Sequence, residues 1–232
     1  MRQPPRLLPA LALAAVALTA PSASSAEGLG YEASAEFHPN YYWRGGYIWE
    51  KVPSLMPSVT ASWNVLWLNA WAAIPFSDRD ILKPVRDEID LTLGADFDLG
   101  DTAALSVGAI AYLYPNAMDT HTEELFGVLS IDPADWGVDI GIYGDVNAYR
   151  GVYLHVTPRY SLPISDALTL DAKLTLSNGF YSESYAFLEI APSAMLTVST
   201  ETFDLYGGLL GAYNPDADDF LWDAVVGVST SF

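Results

Sequence analysis

Hydrophobic and polar residues alternate with a period of two along most of the chain. From Glu88 to Asp98, the polar residues Glu88, Asp90, Thr92, Asp96 and Asp98 hold even positions, while Ile89, Leu91, Leu93, Ala95 and Phe97 hold odd ones. Leu168 to Ser177 repeats the pattern, as do Val138 to Val146 and Val152 to Leu162. Period two places successive side chains on opposite faces of a strand. The pattern predicts strands near 31–43, 53–64, 66–75, 87–98, 103–114, 123–131, 138–146, 151–162, 167–177, 185–198, 202–213 and 221–232. Their length, often about 9 to 12 residues, suits a tilted membrane strand better than the five or six residues usual in soluble sheets.

The spaces between these segments alternate too. Asn64-Val65, Leu99 to Thr102, Asp132 to Gly137, Pro163 to Asp166 and Ser199 to Glu201 are short, whereas Arg44 to Val52, Phe76 to Arg86 and Pro115 to Thr122 are long. Short turns at one end and longer loops at the other are expected of an outer-membrane barrel. Asn147 to Arg150 breaks the rule by being short. The expected fold class is therefore all-β, an antiparallel transmembrane β-barrel of about twelve strands.

The first 26 residues stand apart. Arg2 and Arg6 precede the apolar run Leu7 to Leu18, and small residues lead to Ala26. This is the layout of a secretory signal peptide, and its apolar run is too short for a spanning helix. The expected organisation is a signal peptide over 1–26 and a barrel over 27–232, exported through the periplasm of a Gram-negative cell to the outer membrane. Phe232 ends an alternating face of Thr230, Val228, Val226, Ala224 and Trp222. A terminal aromatic residue of this kind resembles the signal read by the outer-membrane assembly machinery, an expected partner beside membrane lipid.

Charge sharpens the picture. The chain carries 29 acidic and 10 basic residues, a formal net charge of −19, and both signal-peptide arginines leave on cleavage. That balance argues against nucleic acid and anionic surfaces as partners. There are no cysteines, so disulfides and thiolate metal sites are excluded. No metal and no cofactor is expected.

On the strand register, the inward face carries Glu32, Glu36, His38, Arg44, Glu88, Asp90, Asp96, Asp139, His155, Arg159, Asp171, Lys173 and Glu189. Acids outnumber bases on this face. A narrow conduit lined in this way is expected to attract cations and repel anions. Tyr41, Tyr42, Trp43, Tyr47, Trp49, Tyr112, Tyr114, Tyr149, Tyr153, Tyr181, Tyr185, Tyr213 and Trp222 fall near predicted strand ends and are expected to form interfacial girdles.

The run Asn40-Tyr41-Tyr42-Trp43-Arg44-Gly45 resembles the TorF-like porin family, whose members show an aromatic-Arg-Gly motif at the end of the first strand. Pro53-Ser54-Leu55, Glu88-Ile89-Asp90-Leu91, Tyr112-Leu113-Tyr114-Pro115 and Glu124-Leu125-Phe126-Gly127 extend the match in order. Met56-Pro57 departs from the expected Gln-Gly-like pair, and the second half matches only as barrel strands. The resemblance implies an outer-membrane barrel that passes small solutes, and the residues themselves lead to no expectation of an enzyme.

Two other classes compete. A hydrolase at the outer rim would need a base from His38, His121 or His155, for example His121 with Asp119 and Ser182 or Ser184, but no nucleophile elbow or metal-binding histidine motif is present. The metal-like run Ser77-Asp78-Arg79-Asp80 reads as a solvated turn. A structural or adhesive barrel would use the aromatic first loop, Trp43 to Trp49, for contacts outside the cell.

Overall fold

The computed structural model describes residues 28–44, 46–76, 87–115, 121–181, 185–215 and 218–232, with the side chains of residues 47, 181 and 185–187 left aside. The strands are β1 (Leu29–His38), β2 (Tyr41–Trp43), β3 (Gly46–Trp49), β4 (Ser54–Trp63), β5 (Leu66–Pro75), β6 (Glu88–Asp98) and β7 (Ala103–Leu113). They continue as β8 (His121–Ile131), β9 (Trp136–Asp145), β10 (Val152–Ser165), β11 (Leu168–Tyr181), β12 (Tyr185–Ser199), β13 (Asp204–Asn214) and β14 (Asp219–Ser231).

Twelve of them, β1 and β4 to β14, form one closed barrel in the order β1-β14-β13-β12-β11-β10-β9-β8-β7-β6-β5-β4. Every neighbouring pair is antiparallel, and β1 closes the ring by pairing β14 from Glu32↔Ser231 to Phe37↔Val226. At the seam Tyr31 and Phe232 exchange N–H···O bonds, both of 2.9 Å, and their rings lie 6.2 Å apart. Closure leaves no free edge, so the ladder satisfies the backbone polar groups that hydrocarbon cannot.

The alternation sorts the side chains. Leu68, Leu93, Leu125, Ile142, Leu154, Leu209 and Val226 are exposed on the outer wall. Glu124, Glu189 and Asp223 are almost wholly buried on the inner one. A slip of one residue would exchange these sets, which fixes the register.

Short connections gather at one end, called here the turn end. Asn64 takes φ +53 and Gly100 φ +111, backbone values that suit Asn and Gly in tight turns. The opposite, loop end explains the short connection after β9. The Asp145 carboxylate accepts backbone N–H bonds from Asn147, Tyr149 and Arg150, each 3.0 Å, and a bond from the Thr122 hydroxyl.

The first predicted strand is corrected. It does not run to residue 43: β1 ends at His38, and β2 pairs with β3 as a separate two-stranded sheet. Pro39 has no N–H for the ladder. Asn40 diverts the chain, its side chain donating to Trp222 O at 3.1 Å and accepting from Lys51 N at 2.8 Å. At the other extreme β10 runs through Pro163, accommodated by a register shift before Ser165.

Candidate functional site: the barrel lumen

The β2–β3 hairpin folds into the loop end of the barrel. Tyr41 and Trp49 meet edge-on at 5.1 Å and pack against Met56, Ala73 and Trp71, all on the inner faces of β4 and β5. Tyr42 donates its hydroxyl to Gly211 O on β13 at 3.3 Å, and Asn40 N donates to Asp223 Oδ1 at 3.0 Å on β14. Trp43 meets Tyr112 of β7 edge-on at 6.0 Å.

Arg44 completes the crossing. Its guanidinium donates to both oxygens of Glu124, at 2.5 and 2.7 Å, and Glu124 sits on β8, nearly opposite β1 in the strand order. The pair is 7% and 2% exposed. Tyr112 donates a third bond to Glu124 at 2.8 Å. The guanidinium also lies 4.1 Å from the Trp43 ring centre, 4.3 Å from Tyr153 and 5.0 Å from Tyr143. A planar cation that forks onto a carboxylate and stacks on rings uses what arginine offers and lysine does not. Arg44 holds φ +47, which turns the hairpin at this point.

The predicted inward residues fall into several groups. Near the hairpin, His38 bridges Asp223 at 2.6 Å and Glu36 at 3.1 Å, and Tyr206 donates to Glu36 at 2.8 Å. Glu88 is buried with Tyr114 at 3.5 Å, and Glu189 is buried as acceptor of the Ser177 hydroxyl at 2.7 Å. Asp90 lies opposite Trp71 and Tyr112 in the ladder, with Oδ1 buried. Lower down, Arg159 binds Asp132 at 2.6 Å and Asp139 at 3.1 Å, and Asp171 accepts from Ser161 at 2.7 Å. Lys173, opposite Arg159 in the ladder, is exposed. His155 contacts Thr157 at 3.1 Å.

Two cavities open within this arrangement. One of ≈ 690 Å³ at the turn end is lined by Glu32, Trp67, Asn69 and Asp96 among others. The second, ≈ 490 Å³, lies against the hairpin and touches Glu36, His38, Arg44, Tyr143, His155 and Glu189.

The girdle expectation needs correction. Tyr41, Trp49, Tyr112 and Tyr153 are buried, facing inward. The exposed outer rings are Trp63, Trp136 and Tyr160 toward the turn end and Phe180, Phe220 and Trp222 toward the loop end. Tyr153 stands two residues before His155, so the alternation itself already pointed it inward. Trp67, two residues before Asn69, carries the same signal. Burial of Trp49 and the inward packing of Trp43 also remove most of the aromatic surface that an adhesive first loop would offer.

Of the rim-hydrolase candidates, His121 is exposed beside Glu123 at 3.4 Å. Asp119, Ser182 and Ser184 lie outside the described residues, as do Gly45, the run 77–80, and residues 1–26. Among the described residues no group of three or more His, Cys, Asp or Glu side chains is placed to hold a metal ion.

The closed, antiparallel, twelve-stranded barrel with a polar lumen matches the fold of outer-membrane porins. The chain is similar in fold to the KdgM porin, with TM-score 0.61 and 10% identity over 88% of this chain and 99% of that one. It is likewise similar to the NanC porin, with TM-score 0.59 and 13% identity over 87% and 98%. A third likeness is to an outer membrane channel from Pseudomonas putida F1, with TM-score 0.54 and 10% identity over 91% and 99%. At such identities the likeness is one of fold. No family model and no curated protein sequence matches the chain.

Proposed function

We propose that the protein is a channel of the Gram-negative outer membrane that passes small solutes through a narrow, cation-leaning lumen and performs no catalysis. The observation that carries this reading is a closed barrel whose inner wall is acidic and whose loop end is crossed by its own hairpin. Three neighbours in fold are described as porins or channels, which supports transport over hydrolysis. The aromatic-Arg-Gly motif at 43–45 favours a place in the TorF-like family.

Charge bears on selectivity. Arg44 and Arg159 are each held by acids, leaving Glu32, Asp96 and Asp171 without a cationic partner among the described residues. Fixed carboxylates in a low-dielectric wall raise the local cation concentration. Export behind residues 1–26, assembly by the outer-membrane machinery acting on the segment ending in Phe232, and a lipid-embedded outer wall complete the proposal.

The test is a reversal potential across a salt gradient, with purified protein in a planar bilayer. Cation preference is expected, and it should weaken when Asp96 and Asp171 are changed together to Asn. Anion preference, or a seal with no conductance at any potential, would end the reading.

A further inference from the structure

A second feature of the lumen is a row of aromatic rings on its wall. Trp67 on β5 contacts Phe126 on β8, with centroids 6.2 Å apart. Phe126 stacks on Tyr143 of β9 at 5.6 Å, and Tyr143 meets Tyr153 of β10 at 6.0 Å. Trp67 lies near the turn end, Phe126 near mid-strand, and Tyr143 and Tyr153 near the loop end. The row therefore climbs the barrel.

Glycines make room for two of these rings. A Cβ on Gly94 would run into the Trp67 ring, and one on Gly108 would stand 2.7 Å from the Phe126 ring. With no side chain there, the Trp67 ring sits over Gly94 and the Phe126 ring over Gly108 on the inner wall. The Trp67 indole is also pinned, donating Nε1–H to Asp96 at 3.0 Å. Both cavities reach the row, one at Trp67 and the other at Tyr143 and Tyr153.

The end of the row shows what its faces accept. There, the Arg44 guanidinium lies 4.3 Å from Tyr153 and 5.0 Å from Tyr143, neutralised by Glu124. Ring faces carry partial negative charge and attract cations, above all delocalised or alkylated ones that shed water easily. A carboxylate, Asp96, accompanies the row at its turn end, which favours a cation over an anion there.

We propose that Trp67, Phe126, Tyr143 and Tyr153 form a stacking path for small organic cations, guanidinium or alkylammonium solutes, ending at the aromatic box that Arg44 occupies. The path deepens the channel reading by naming a solute class. Binding to it is measurable without conduction.

The test uses folded full-length barrel in detergent and ligand-observed saturation-transfer NMR. The probes are methylguanidinium, tetramethylammonium, and methylurea as a neutral match in shape to the first. Both cations should bind, and methylurea should bind far more weakly. Phe126→Leu and Tyr143→Leu should each weaken cation binding about two- to tenfold, and Trp67→Leu serves if either fails to fold. Trp136→Leu, on the outer wall, should leave it unchanged. Equal binding of methylurea and methylguanidinium, or full cation binding with two of the rings removed, overturns the proposal. Bilayer currents separate the two readings: binding without conductance upholds the path and removes the channel, whereas conductance without cation binding removes the path alone.

Discussion

Removing the Arg44 guanidinium leaves Glu124, 2% exposed at its side chain, with the Tyr112 hydroxyl as its remaining side-chain partner. Breaking a buried ion pair in this way costs about 3–5 kcal/mol when nothing relaxes. Here the hairpin can move, so the loss should appear as its release rather than as collapse of the barrel. Arg44→Ala is expected to raise single-channel conductance severalfold, and Arg44→Lys to recover little of the closure, because one ammonium cannot fork onto Glu124 and stack on Tyr153 together. Unchanged conductance in Arg44→Ala would show that the pair does not hold the constriction. The glycines beneath the rings permit a paired test. Gly94→Ala drives a methyl group into Trp67, whereas Gly144→Ala meets nothing within 4 Å. The first should lower stability by about 1–3 kcal/mol, measured as a shift in the urea midpoint, and the second should change it little.

At the scale of elements, the hairpin is separable from the barrel that surrounds it. β2 and β3 pair only with each other, and no ladder bond of the twelve-stranded ring depends on them. Replacing residues 42–48 with a short Gly-Ser turn should therefore leave heat-modifiable gel migration intact while widening the conductance. Loss of the compact band would mean that the hairpin is needed to assemble the ring. This element also marks where the sequence stops being readable. The barrel strands could be read because period two is local: each segment states its own two faces, as Glu88 to Asp98 does without reference to any other. The contact between Arg44 and Glu124 joins residues 80 positions apart and has no local signature. The aromatic run Tyr41 to Trp49 reads alike whether it meets lipid headgroups or the inside of the wall. Only Pro39, which interrupts the strand, hints that the chain leaves the ladder there. For Tyr112 and Tyr153 the aromatic preference for interfaces and the position in the alternation point opposite ways, and both rings follow the alternation inward.

For the whole molecule, the decisive physical fact is that two neighbouring residues can face media of very different dielectric constant. Thr92 and Leu93 are adjacent near the middle of β6, and Leu93 is 58% exposed on the outer wall while Thr92 faces Asn69 and Ile110 across the ladder inside. If hydrocarbon surrounds the barrel, an arginine at 93 must be desolvated or must bend toward an interface, at a cost of about 2–4 kcal/mol near mid-depth. An arginine at 92 keeps its water in the lumen and adds positive charge to an acidic wall. Leu93→Arg should thus lower the urea midpoint of refolding into lipid vesicles strongly, whereas Thr92→Arg should leave it nearly unchanged. Thr92→Arg should instead reduce cation preference in the salt-gradient measurement, since a fixed positive charge repels the ions that the carboxylates attract. The two variants differ by one position and carry the same charge. Composition, helix or strand propensity and expression effects are closely matched between them, so opposite outcomes require opposite surroundings. If both variants refolded equally well in lipid and in detergent-free buffer, the outer wall would not be facing a membrane.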